Sequence, residues 1–260
     1  MLNGKKIAVV MPGLRVARTL ERTVKALPPG IADEILYVDD GSSDDSIAVA
    51  RGLGLRVFAH SRNLGYGAGQ KTLFREALAL GVDCIVMVHP DFQYKPELMP
   101  AMASMVVHAG YDLVLGSRLL VGGALKGGMP RWKFVANRFL TVTENLAMGS
   151  SLSEFHTGYR AFSADLVRTL PLAENRNDYV FDNELIAQCL YFGRPIGELS
   201  CPARYFDEMG TITFGPGVKY GLGCLKTAAR LLGHRTGLAR SPLFDPSGRT
   251  VLAWTEGEAL

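Results

Sequence analysis

Val38-Asp39-Asp40-Gly41-Ser42-Ser43-Asp44-Asp45-Ser46 closes the second of two short apolar runs near the start of the chain. The first run, 7–11, is broken by Pro12 and Gly13; the second, 34–38, ends in the two aspartates. Between them Leu20, Val24 and Leu27 recur at helical spacing. The alternation continues outward: helix over 43–53, strand over 55–58, helix over 66–80, strand over 84–88, helix over 95–108 with Pro96 in its first turn, strand over 113–115. Short strands alternating with helices predict βαβ units, hence an α/β fold with a mostly parallel sheet flanked by helices. In such sheets ligands bind beyond the carboxyl ends of the strands. The polar groups collect there: Asp39-Asp40 after the second strand, His89-Pro90-Asp91 after the fourth, Ser117-Arg118 after the fifth.

The second half is less regular. Gly122, Gly123, Gly127 and Gly128 mark 121–128 as a mobile connection. A long helix is predicted over 131–148, strands over 158–162 and 196–201, and a helix over 181–192. From 211 to 240 there are five basic residues and no acidic one, with Val218, Leu222, Leu225, Ala229 and Leu232 near helical spacing. Such a basic amphipathic helix either packs on the core with solvated lysines or rests on an anionic bilayer.

Composition bounds the rest. A chain of 260 residues, 48% hydrophobic and 20% charged, is long enough for a real core and is neither disordered nor fibrous. A net charge of +3 is too mild to indicate nucleic acid. Four cysteines stand far apart without a CxxC pair, which excludes a zinc ribbon or thioredoxin motif and suits a reduced, cytoplasmic setting. No signal-peptide pattern opens the chain and no 18-residue apolar run occurs. The expectation is a protein that does not span a membrane but can touch its inner face.

Asp39 and Asp40 suit the nucleoside side of a ligand, since a carboxylate accepts from a base N–H or ribose hydroxyl and repels phosphate. Ser43, Asp44 and Asp45 suit a helix N-terminus. His89, Asp91 and Gln93 stand at alternate positions, so in an extended segment they point the same way and can hold Mg²⁺ or Mn²⁺. Against this stands a plain surface turn. Arg118, Arg131, Lys133, Arg160 and Arg204 are candidates for phosphate, each also readable as a solvated or structural base. Gly65, Gly67 and Gly69 do not follow the first strand, so they read as a tight turn opening a helix rather than a dinucleotide loop.

Taken in order, the motifs VDDGSSDDS, NLGYGAGQ, HPDFQY, LGSR, FHTGYRAF, YVFDNELI and RYFDE resemble family 2 glycosyltransferases of the GT-A fold, over roughly residues 5–214. Within these the chain looks most like dolichyl- or polyprenyl-phosphate hexosyltransferases. The resemblance implies a nucleotide-sugar half (1–118), an acceptor-side α+β half of the same domain (119–214), and a C-terminal helix and tail (215–260). It implies a nucleotide diphosphate sugar donor, a UDP- or GDP-sugar, held by Pro12, Asp39, Asp40 and Gly41; Arg15, where the family has other residues, is a candidate to stack on the base. Asp91, Gln93 and His89 would hold the Mg²⁺ or Mn²⁺, and Asp91, Arg118 and Arg131 would serve catalysis. Arg160, Arg204, Asp182 and Glu184 would face the phosphates or the acceptor. The implied reaction is a single displacement with inversion onto a lipid phosphate. If the acceptor were a soluble hydroxyl, Asp182, Glu184, Asp207 or Glu208 would have to act as base.

Two departures stand out. The family's usual Tyr-Asn after the first strand is replaced within Gly13-Leu14-Arg15-Val16, and its metal motif begins with His89 rather than Asp. The first motivates a competing reading, a nucleotide-sugar-binding protein without turnover. A sugar-phosphate nucleotidyltransferase fits less well, because Gly13-Leu14-Arg15 is a poor match to its glycine-rich basic loop.

Overall fold

The computed structural model describes residues 1–121, 123–202 and 214–258. Seven strands form one sheet: β1 (Ile7–Gly13), β2 (Glu34–Asp39), β3 (Arg56–Ala59), β4 (Cys84–Met87), β5 (Leu113–Ser117), β6 (Arg160–Ser163) and β7 (Ile196–Ser200), in the order β3-β2-β1-β4-β6-β5-β7. All neighbours run parallel except β6, which lies antiparallel between β4 and β5. The helices are α1 (Ala17–Lys25), α2 (Ser46–Gly52), α3 (Tyr66–Ala79), α4 (Met99–Val107), α5 (Arg131–Met148), α6 (Ala164–Thr169), α7 (Phe181–Tyr191) and α8 (Phe214–Arg235).

The continuous apolar runs of β1 and β4 follow from burial on both faces. Val10 and Leu36 point to one side, where they meet Phe74, Phe162 and Leu185. Val9 and Tyr37, one residue on in the pleat, point to the other and meet Met102 and Tyr159.

Local differences from the sequence reading have local causes. The helix read over 43–53 begins at Ser46, and Ser43 caps nothing: Asp44 Oδ1 instead accepts from the Ser46 N–H at 3.2 Å. The glycine-rich stretch is not a loose connection among the described residues. Leu119, Ala124 and Met129 are buried together, with Phe134 packed on them. The Met129 N–H donates to the Ala124 carbonyl at 3.1 Å. Helix α6 was not read from the sequence; it is capped by Ser163 Oγ, which accepts from the Leu166 N–H at 3.1 Å. Strand β6 starts at Arg160 rather than 158, because the residues before it line the cleft described next.

Candidate active site

The carboxyl ends of β1, β4 and β5 open into one cleft of about 1510 Å³, walled on the far side by α5 and α8.

The loop after β1 forms one edge. Pro12, Leu14, Arg15 and Arg18 line it. Arg15 has a φ of 55°, a left-handed conformation that costs energy for a residue with a Cβ. The acidic-serine motif holds it there. Ser42 Oγ accepts from the Arg15 N–H at 2.8 Å, Ser46 Oγ from the Val16 N–H at 2.8 Å, and Asp44 Oδ2 from the Ala17 N–H at 3.2 Å. Much of the motif therefore shapes the opposite loop.

The two adjacent aspartates part company. Asp39 is fully buried; it accepts from the Tyr37 hydroxyl at 3.0 Å and the Ser42 N–H at 2.7 Å, and it does not line the cleft. Gly41 turns with a φ of 77° against the backbone of Arg62 and Asn63, also away from the cleft lining. Of the residues expected at the nucleotide, these two stand outside the lining. Asp40 does line the cleft. It accepts from His60 Nδ1 at 2.7 Å and from the Leu64 and Gly65 N–H groups at 2.8 and 2.9 Å. Burial alone would raise its pKa; these three bonds hold it below the usual carboxylate range.

His89, Asp91 and Gln93 all line the cleft, but not as an extended strand would place them. Phe92 takes a φ of 58°, and Asp91 Oδ1 accepts from the Gln93 N–H at 2.9 Å, so the segment turns. The Arg22 guanidinium covers the Phe92 ring at 3.9 Å. His89 faces inward: its Nε2 meets the Tyr66 hydroxyl at 2.9 Å, and that hydroxyl donates to Asp182 Oδ2 at 3.0 Å. Burial pushes the His89 pKa down, against the pull of Asp91 and Asp182. A Cβ on Gly158 would lie 2.1 Å from His89 Cε1, so the glycine of His156-Thr157-Gly158 is the space the imidazole occupies.

Among the predicted bases, Arg118 lines the cleft and is gripped from behind by Glu154, which is fully buried. Arg118 Nε donates to Glu154 Oε1 at 2.8 Å and its backbone N–H to Oε2 at 2.7 Å. Arg131 is exposed and outside the cleft lining, whereas Lys133, two residues on, is inside it. Helical geometry explains the difference, since a shift of two residues turns a side chain by more than half a turn. Burial, then the nearby Arg118, lowers the Lys133 pKa. The two cations line the same part of the cleft. Arg160, expected at the phosphates or the acceptor, is fully buried and donates to the carbonyls of Thr157, Asp182 and Phe155, so it braces the cleft floor. Arg204, Asp207 and Glu208 lie outside the described residues.

Asp182 lines the cleft, accepting from Gln70 Nε2 at 2.7 Å as well as from Tyr66. Glu184 does not. It is fully buried on the far side of α7, accepts from the Arg176 N–H at 2.7 Å, and burial pushes its pKa up to about 7. The reading of Gly65 to Gly69 as a turn opening a helix matches α3, whose first residue is Tyr66. A Cβ on Gly65 would lie 2.3 Å from the Asn177 carbonyl oxygen.

Sequence reasoning passed over Tyr66, Arg22, Trp132, Tyr179 and Tyr220, all on the cleft wall. Trp132 carried a signal, because it begins a series with Val135, Phe139, Val142 and Leu146 at helical spacing. That spacing ordinarily faces a core. Here it faces outward: Val135 is 65% exposed, Phe139 63% and Leu146 81%, while Asn137, Thr141 and Glu144 are buried. Helix α5 is inside out.

The family model described as glycosyl transferase family 2 matches residues 9–170. The undecaprenyl-phosphate mannosyltransferase of Micrococcus luteus is 25% identical over 221 residues, covering 82% of this chain and 89% of that one. A dolichyl-phosphate hexose transferase of Haloferax volcanii is 30% identical over 173 residues, covering 66% and 70%. Among solved structures, glucosyl-3-phosphoglycerate synthase of Mycobacterium tuberculosis, crystallised with Mn²⁺, UDP and phosphoglyceric acid, superposes with a TM-score of 0.67. That likeness has 19% identity, covers 88% of this chain and 79% of that one, and is a likeness of fold.

Proposed function

The chain belongs to glycosyl transferase family 2, and from that premise we propose that it moves a hexose from a nucleotide diphosphate sugar to a polyprenyl phosphate at a membrane surface. The observation that carries the acceptor is the inverted helix α5. Its apolar outer face continues from Trp132, on the cleft wall, through Phe139 to Leu146. Val218, Leu222 and Leu232 of the neighbouring α8 are exposed too, with the α8 bases Lys219, Lys226 and Arg230. An apolar face of this extent beside basic residues suits a bilayer with anionic headgroups. The relatives named for lipid-phosphate acceptors agree with this choice.

On the donor side, Arg15, Arg18 and Asp40 surround the position for the nucleoside. Asp91 and Gln93 suit Mg²⁺ or Mn²⁺. Among the described residues, the only hydrogen bond of the Asp91 carboxylate is to its own turn, and both side chains bring oxygen to the cleft. Two such oxygen donors would hold a hard divalent cation there. His89 is committed to Tyr66 through Nε2 and stands behind them. When bound, the ion neutralises charge on the departing diphosphate.

The chain's own groups do the rest. Arg118, fixed by Glu154, and Lys133 hold phosphate oxygens and balance their charge. A phosphate oxygen of the acceptor attacks the anomeric carbon from the side opposite the leaving group. A new carbon–oxygen bond forms, the bond to the nucleotide diphosphate breaks, and its electron pair leaves with the diphosphate. The configuration inverts. No general base is needed, since the attacking oxygen is already anionic. Asp182, accepting from Gln70 and Tyr66, orders the wall and takes up no proton in this scheme.

A thermal-shift panel of UDP, GDP, CDP and TDP, each with Mg²⁺, Mn²⁺ or chelator, tests the donor side. Ligands that bind only the folded state raise the melting temperature. One nucleotide should do so in a metal-dependent way, and Asp91→Ala should abolish the effect. No shift with any of them would contradict a nucleotide-sugar donor site.

A further inference from the structure

Behind the cleft wall, three side chains from distant parts of the chain converge: Glu144 of α5, His156 before β6 and Cys224 of α8. Their ligand atoms lie within 4.8 Å of one another. Glu144 and Cys224 are fully buried, and the His156 side chain is 7% exposed. Glu144 Oε2 and His156 Nε2 are 3.1 Å apart, yet neither has a hydrogen-bond partner: they approach without the alignment of an N–H···O bond. Their other atoms are anchored. Glu144 Oε1 accepts from Asn183 Nδ2, and His156 Nδ1 meets the Tyr220 hydroxyl at 3.0 Å. Ligands fixed from behind, with free lone pairs turned toward one another, are how a protein holds a metal ion.

We propose that Glu144, His156 and Cys224 form a zinc site, separate from the donor-side ion at Asp91. The ligand set is one carboxylate, one neutral imidazole and one thiolate, a combination that suits zinc and not magnesium. The charges also close. With Zn²⁺, a carboxylate and a thiolate sum to zero in a place where an unpaired carboxylate is costly. Among the described residues no Arg or Lys pairs with Glu144, and the imidazole of His156 beside it is neutral as a metal ligand. A bound cation would favour the thiolate of Cys224 in this buried place. Three protein ligands leave one tetrahedral position to water. His156 and Tyr220 line the cleft, which gives the ion a way in. The ion would tie α5 to α8 and to the segment before β6, the elements that carry the apolar face and the cleft floor.

The test uses the full chain, stripped with chelator and then exposed to zinc or to cobalt(II). The site predicts close to one zinc per chain after desalting and a higher melting temperature. Cobalt should give a thiolate-to-cobalt charge-transfer band in the near ultraviolet. Zinc retention and the band should disappear in Cys224→Ser and fall at least tenfold in affinity in Glu144→Gln. Both should persist in Asp91→Ala, which separates this site from the donor-side ion. Less than half an equivalent of zinc on the wild-type chain, no charge-transfer band on it, or full retention in Cys224→Ser overturns the proposal. The wild-type readings decide even if a variant fails to fold.

Discussion

Arg118 is clamped to Glu154 at the back of the cleft: its Nε lies 2.8 Å, and its backbone N–H 2.7 Å, from the two oxygens of a carboxylate with no solvent exposure. Burial alone would raise the Glu154 pKa; the guanidinium holds it below the usual range. Removing Arg118 therefore strands a buried charge. Arg118→Ala should lose about 3–5 kcal/mol of stability, read as a lower denaturant midpoint. Glu154→Gln in the same chain should recover part of that loss. A fully stable Arg118→Ala would contradict the clamp.

Lys133 differs. It lines the cleft and makes no ion pair among the described residues. Lys133→Ala should leave the denaturant midpoint nearly unchanged, within about 0.5 kcal/mol, since nothing is stranded. Its kcat/KM should fall by roughly tenfold to a hundredfold, the scale of one charged hydrogen bond of about 1.5–3 kcal/mol. Arg131→Ala, outside the cleft, should be near neutral by the same assay.

Glu184 makes stability depend on pH. Its folded pKa is about 7 against an ordinary 4.5, because burial disfavours the carboxylate. Between those values the folded state binds more protons than the unfolded state, so the contribution is present below pH 4.5 and is lost as pH rises toward 7. The full loss is about 3 kcal/mol. Glu184→Gln should flatten this part of the stability curve and gain on the wild type most above pH 7. Parallel curves for the two proteins from pH 5 to 8 would remove Glu184 as the cause.

The outer face of α5 predicts membrane binding. Vesicles containing anionic lipid should sediment the protein at low salt and release part of it at high salt. Phe139→Glu with Leu146→Glu should cut binding at least tenfold, with little effect on the fold, because both side chains are exposed. Equal sedimentation of this variant would move the contact elsewhere.

The sheet was readable because β1, β2, β4 and β5 are buried apolar runs ended by polar residues, a pattern set by two covered faces. The antiparallel insertion of β6 was not, since pairing partners depend on the whole sheet and not on the strand. The site was readable as a region more than as residues. Asp39 and Asp40 are adjacent and both buried, yet only Asp40, just past the strand end, lines the cleft. Arg160 carries the charge of a phosphate ligand but meets three carbonyls, which no spacing reports. The stripe on α5 was visible as a period, but its direction was not, because a period does not say which face meets solvent. Glu144, His156 and Cys224 come together only in three dimensions.

Transfer onto a lipid phosphate would leave the sugar in the lipid phase. The most direct measurement supplies radiolabelled nucleotide sugars with Mg²⁺ or Mn²⁺ and liposomes carrying a polyprenyl phosphate, then counts label extracted into organic solvent. One donor should label the lipid, chelator should stop it, and Asp91→Ala should be inactive while still folded. Sugar released to water or to a soluble acceptor, with no label in the lipid from any donor, would contradict it.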